Sequence, residues 1–402
     1  MSKPFVPALQ RTRNLFELYQ YACGKSEVPA VYNFWSSVAM LAAILEGNIW
    51  YEKHADEKLY PNLYIFLIGS AASGKGTAIS FANKLCDRSV VTPKYRGSAT
   101  CASLIDVLGK IEKDEYGAKK LASPHLWLIM DELKNNLGTN VPLVEAFVAL
   151  MTELFTATGY TINTSTRMYG KIDVIDPIVN WLIGTTESDL RGILSRKLVD
   201  SGFSSRVCFI FGERDYNIRY PRITYPPDRD EVMEHLKIRL WALQQMKGRV
   251  LMTPDAEAMQ DQWYMTRPSP TEESLAAAWV RQHDMLLKFA QLCCLADGGP
   301  PVIRTGHLAR AKAMVASVAS YSSKLLSVVH ETFETKPSND VENYIKRRKR
   351  DVEHSPLLKY FRSKKGMDAS KVKKALWDLT QEGMIRASKG PKGGVVYEWI
   401  GG

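Results

Sequence analysis

In the first 60 positions, apolar residues recur at three- and four-residue spacing in "NLFELYQYA" and "AVYNFWSSVAMLAAILEG". That spacing predicts helices, with Gly47 as a stop. From Leu63 the pattern changes. The runs "LYIFLIG", "LWLIMDE", "IVNWLIGTT" and "RVCFIFGER" lack strict alternation, as strands covered on both faces do, and helical segments separate them. They predict an α/β core with a parallel sheet. Between Glu213 and Asp230 the chain is rich in Tyr, Pro, Arg and Asp and reads as a linker. Val232 to Val329 is almost wholly helical in pattern, interrupted at "RPSP" and "DGGPP", and a further break is expected at "ETKPSND". The last segment then reads as three helices, from Val341, from "EHSPLLKYFRS" and from "DASKVKKALWDLTQEGMI". Asp368 or Ser370 caps the third, and Val372, Leu376 and Leu379 share one of its faces. "IRAS", "KGPKGG" and "VVYEWI" complete it as a hairpin with a basic tip. The expected division is 1–60 helical, 61–225 α/β core, 226–335 helical and 336–402 basic.

Composition narrows the class. At 402 residues and 45% hydrophobic the chain is that of a soluble globular protein of two or three domains. No apolar run approaches the roughly 20 residues of a membrane span, and Met1 to Gln20 lacks an apolar signal core, so a cytoplasmic protein without a membrane partner is expected. The six cysteines are scattered without zinc spacing and read as small buried hydrophobes. The formal charge is +10, and Val341 to Gly402 holds 15 Lys/Arg against 7 Asp/Glu. A balance of +8 there predicts a polyanion partner, nucleic acid above all.

Chemistry concentrates in two places. Gly69-Ser-Ala-Ala-Ser73-Gly74-Lys75 fits G-x-x-x-x-G-K between a strand and a helix. Such a loop points backbone N–H groups inward at a helix N-terminus and lets phosphate oxygens approach its glycines, with Lys75 on the β/γ-phosphates. A Gly/Ser-rich strand-to-helix turn is also an ordinary structural device. Gly76 stands where Ser or Thr normally binds Mg²⁺, and the hydroxyl comes next, at Thr77. Downstream, "LWLIMDE" delivers Asp131 and Glu132 at the carboxyl end of a strand, where ligands of α/β sheets collect. Asp131 would hold Mg²⁺, directly or through water, and Glu132 would polarise the attacking water. Alone, this run would be a strand ending in a solvated acidic turn. Adjacent carboxylates favour ATP hydrolysis, but "GKGT" also resembles the loop of adenylate-kinase-like enzymes, which keeps a nucleotide kinase as an alternative.

The lead-in "FWSSVAMLAAILEG", the loop "PNLYIFLIGSAASGKG", the acidic "MDE" and "GFSSRV" together resemble helicase-like P-loop ATPases of phages and mobile elements that are often found with primases. The motif order is similar to that of AAA+ and MCM-type ring ATPases, and a RecA-like core explains the first two motifs equally well. The resemblance implies a role for Thr185 or Thr186 at the γ-phosphate, though both also read as caps of the next helix. It implies that Arg206 is an arginine finger entering a neighbouring subunit's site, with Arg191, Arg196 and Arg214 as rivals, and that Arg281 is a second sensor. A hairpin around "YTINTSTRMYGKIDVID" would grip DNA through Arg167 and Lys171, with Tyr169 stacking. The terminal helices and hairpin have the layout of a winged helix, with Lys371, Lys373, Lys374, Lys389 and Lys392 meeting phosphates. The function implied is an ATP-dependent DNA helicase or translocase, a hexamer with a primase or initiator partner. The alternative is an ATP-switched replication initiator or regulator without unwinding activity.

Overall fold

The computed structural model describes residues 9, 12–54, 57–89, 94–96, 99–109, 111–113, 119–121, 124–133, 141–156, 161–166, 170–193, 202–270, 276–348, 352–365, 367–381, 383–390 and 393–400. The chain divides into two units, Met1–Ser323 and Lys324–Gly402. No helix among the described residues is long and apolar enough to cross a membrane.

The first unit opens with helices Leu15–Cys23 and Ala30–Ile44. Most of the second is buried, because it lies between the core sheet and other helices and so needs apolar or small residues on nearly every face. Strands β1 (Ile49–His54) and β2 (Glu57–Leu59) follow, where the sequence pattern had suggested mostly helix. Next come β3 (Tyr64–Ile68), β4 (Lys94–Arg96), the short pair β5 (Ile111–Lys113) and β6 (Lys119–Leu121), and β7 (His125–Met130). The pair β8 (Thr161–Thr166) and β9 (Gly170–Ile175) runs antiparallel, from Thr161 opposite Ile175 to Thr166 opposite Gly170. Strands β10 (Ile178–Thr185) and β11 (Val207–Phe211) complete the core.

Five of these strands form one sheet in the order β11-β3-β10-β7-β4, and every pairing is parallel. The expected α/β class with a parallel sheet is therefore present. All residues of β3 and β10 are buried, which explains why neither strand alternates. Phe66, Trp181, Phe147 and Phe209 pack edge to face beside the sheet, with centroids 4.8 Å apart for Phe66 and Trp181.

The region expected to be wholly helical contributes β12 (Gly248–Met252) and β13 (Val302–Ile303) between helices Arg229–Gln245, Pro254–Thr266, Ala276–Asp297 and Thr305–Arg348. With β1 and β2 they make a second sheet, β13-β12-β1-β2. Here β12 pairs with β1, whose partner residues are about 200 positions away in sequence, a relation no local periodicity carries. The "ETKPSND" stretch, expected as a break, lies within the helix Thr305–Arg348.

In the second unit, β14 (Val352–Glu353), helices His354–Lys365 and Ala369–Gln381, β15 (Ile385–Lys389) and β16 (Val395–Trp399) follow in order. The strands form an antiparallel sheet, β14-β16-β15. Val341, Ile345, Leu357, Phe361, Val372, Leu376 and Leu379 are buried together as its core. The helix starts at Ala369, which makes Asp368 the capping position; its carboxylate accepts from the Ser370 hydroxyl at 2.7 Å.

A buried polar knot fastens the first unit. Lys288, 3% exposed, donates to the Asn62 backbone oxygen at 2.9 Å and to Asn62 Oδ1 at 2.7 Å. Asn180 Oδ1 accepts from the Leu63 N–H at 2.9 Å. Burial pulls the Lys288 pKa down from 10.5 to about 7, against the smaller pull of Asp284. The unfolded chain therefore holds a proton that the folded chain has released between those two values, so stability rises with pH through that window and is flat below it. Lys288→Met removes this dependence. In denaturant unfolding at pH 7 and 8.5, the stability of wild type minus variant is expected to rise by about 1–2 kcal/mol; an unchanged difference would mean that the buried amine stays charged.

Candidate functional site

Strand β3 ends at Ile68 and the helix Lys75–Ser89 begins six residues after Gly69, so residues 69–74 form a loop at the carboxyl edge of the sheet. Its turn comes from two left-handed residues, Ala72 at φ 60° and Gly74 at φ 91°. Glycine adopts that region freely, whereas alanine does so under strain of about 1–2 kcal/mol. Beneath the loop lies Tyr32, fully buried, whose hydroxyl is 2.8 Å from the Ile68 oxygen and 2.7 Å from the Gly212 oxygen. One phenolic proton is shared between these strand-end carbonyls, and the Ser73 hydroxyl bonds to the same phenol. This clasp sets the need for glycine at 69, where a Cβ would sit 2.2 Å from Tyr32 Oη and 2.6 Å from the Gly212 oxygen. At Gly76 a Cβ meets nothing within 4 Å.

Lys75 is 9% exposed, and its ammonium turns back on its own loop. It donates to the oxygens of Gly69 at 2.9 Å and Ser70 at 2.7 Å, and to Ser73 Oγ at 3.2 Å. Burial lowers its pKa, while Glu132 and then Asp189 act in the opposite direction. A cation held this way by neutral carbonyls is poised to exchange them for an anion.

Strand β10 pairs with β3 on one side and β7 on the other. Its end therefore lies between the loop and the carboxylates that follow β7. Gly184 is needed there, because a Cβ would be 2.9 Å from the Asp131 oxygen. Thr185, 1% exposed, donates to the Thr186 oxygen at 3.3 Å. The Thr186 hydroxyl donates to Asp189 at 2.8 Å and accepts from the Asp189 N–H at 3.2 Å, which makes it the cap of the helix Glu187–Ile193. Ala71 to Thr77, Asp131, Glu132 and Gly184 to Thr186 line one cleft of about 350 Å³.

Asp131, Glu132, Gly76 and Thr77 are exposed. Asp131 accepts from Arg96 Nη2 at 2.7 Å, a pair that crosses from β4 to β7. Magnesium beside a nucleotide takes one or two carboxylates, phosphate oxygens and water. Asp131 with Thr77 fits that donor set once Arg96 lets go. No group of three or more His, Cys, Asp and Glu able to hold a metal occurs among the described residues.

Arg206 and Arg281 lie elsewhere. Val207 pairs with Tyr64 at the start of β3, so Arg206 is at the amino edge of the sheet, about 15 Å from the loop. Its Nη1 donates to the Gly202 oxygen at 2.7 Å; burial lowers its pKa to about 10, with Arg281 adding to the effect and Tyr64 opposing it. Arg281 shares that edge because its helix is anchored there by Lys288 on Asn62, and burial lowers its pKa against Asp284. Neither arginine lines the cleft of its own chain. Lys371, Lys373, Lys374 and Lys389 are exposed on the second unit. Lys171 stands in β9 opposite Ser165, and Arg167 and Lys392 lie outside the described residues.

Tyr32 and Arg96 carry no motif, and only the sheet order brings them to the loop and to Asp131. No protein-family model matches the chain, and no curated protein matches it.

The two motif glycines are expected to answer differently to alanine. Gly76→Ala gains helix propensity, about 0.5–1 kcal/mol in denaturant unfolding. Gly69→Ala forces Tyr32 and the Gly212 carbonyl apart and costs about 2 kcal/mol or more. Equal effects would place the clasp elsewhere.

Proposed function

We propose that the chain is an ATP-driven motor on DNA, a helicase or translocase that works as a hexameric ring in the replication of a phage or mobile element. The observation that carries this reading is the single cleft shared by Lys75, Asp131, Glu132 and Thr185 at the carboxyl edge of a parallel sheet. In it the N–H groups at the start of the helix and Lys75 would hold the phosphates. Asp131 and Thr77 would hold Mg²⁺, which neutralises charge on the phosphates. Glu132 would take the proton of the attacking water, and Thr185, at the end of the strand between loop and carboxylates, is better placed than Thr186 to touch the γ-phosphate.

Two features support hydrolysis over transfer to a second nucleotide. Among the described residues lining the cleft Lys75 is the sole cation, with Arg96 reaching Asp131 from β4, and Asp131 and Glu132 are both there. Arg206 would serve a neighbouring subunit's site rather than its own, since it lies at the opposite edge of the sheet from its own loop. The basic second unit, with a helix bearing three exposed lysines beside an antiparallel sheet, supports a winged helix on DNA, with a primase or initiator as a further partner.

Nucleotide binding, hydrolysis and strand displacement on a forked substrate test the reading together. Lys75→Ala is expected to weaken ATP binding by about 10-fold or more. Glu132→Gln is expected to keep binding and to lose about 100-fold or more in hydrolysis, and unwinding with it. DNA-stimulated hydrolysis without unwinding would support the ATP-switched initiator, and phosphate transfer to a nucleoside monophosphate would support a kinase.

A further inference from the structure

The helix Ala369–Gln381 buries Val372, Ala375, Leu376 and Leu379 in the core of the second unit. The opposite face carries Ser370, Lys373, Lys374 and Trp377, since these positions recur three and four residues apart on the other side. Trp377 is 64% exposed, one turn beyond the two lysines. The other tryptophan of this unit, Trp399, is partly buried against the core and has the Lys346 ammonium 5.0 Å from its ring. Trp377 lies outside the unit's core cluster, so the fold supplies no reason for an indole there.

Its neighbours select the partner. The two ammonium groups one turn before it repel cations and attract phosphates, and the unit's balance of 15 Lys/Arg against 7 Asp/Glu from Val341 onward extends that preference. Between phosphates, a flat apolar ring with one N–H meets a base by its face. In a duplex the base faces are stacked on one another and only their edges are open. In a single strand they are free, and stacking on an aromatic side chain is the sequence-tolerant contact of such proteins.

We propose that Trp377 is a stacking contact for an unpaired base, so that this helix grips single-stranded DNA through the indole with Lys373 and Lys374 on the phosphates, and does not read a duplex groove. The assignment rests on the DNA-binding reading of the second unit and goes beyond it in naming the strand form and the residue.

Anisotropy titrations of the full chain test it, with a labelled oligo-dT strand, a blunt duplex and an abasic strand of the same length. Trp377→Ala is expected to weaken oligo-dT binding by about 10-fold or more, with duplex binding changed by less than about 3-fold. Trp377→Phe should retain most of the affinity. The abasic strand should bind wild type and Trp377→Ala alike. An unchanged thermal unfolding midpoint of Trp377→Ala shows that the fold is kept, as an exposed position allows. Equal losses on single strand and duplex, or none on either, overturn the stacking contact. If Lys373→Gln with Lys374→Gln weakens both DNAs while Trp377→Ala does nothing, the DNA reading stands and this inference falls. No binding to any of the three by wild type sinks both.

Discussion

Five parallel strands force each connection to cross a face of the sheet, so all five carboxyl ends open on one edge. That constraint makes the cleft. The loop after β3, the threonines after β10 and the carboxylates after β7 come from positions 69 to 186 in sequence, yet they meet because their strands are neighbours in register. The same constraint sends Arg206, at the start of β11, to the far edge. An arginine at one edge and a glycine loop at the other therefore lie about 15 Å apart within the chain.

The loop is held from below as much as it is shaped by its own residues. Tyr32 belongs to a helix that precedes the sheet, and its phenol closes the ends of β3 and β11 around Gly69. The same phenol bonds to Ser73, whose Oγ accepts from Lys75. At the other edge the Asn62–Lys288 knot fixes the helix Ala276–Asp297 against the start of β3. One strand five residues long thus joins the glycine loop to the helical region, with a buried tie at each end.

The two units divide the chemistry by charge. At the loop Lys75 is buried and its ammonium is held by backbone oxygens of the loop itself. In the second unit the lysines are exposed on a helix whose other face is fully committed to the core. Trp377 stands exposed on the same face as these lysines.

Much was written in the chain itself. The uninterrupted apolar runs determined the parallel core, because strands covered on both faces need no polar side, and the spacing of Gly69, Gly74 and Lys75 with the carboxylates after "LWLIM" determined the constellation of the cleft. The basic excess near the carboxyl terminus and the stripe of Val372, Leu376 and Leu379 are equally local. Tertiary structure alone decided the rest. β12 lies between β1 and β13 and pairs only with strands distant in sequence, so no local pattern announces it. The pairing of Arg96 with Asp131 depends on β4 lying beside β7, and the need for glycine at 69 depends on a tyrosine 37 positions earlier. Thr186 was separated from Thr185 by which hydroxyl the following helix took as its cap. Sequence fixes what each residue offers over a few turns; who receives the offer depends on the order of strands, which is a property of the whole chain.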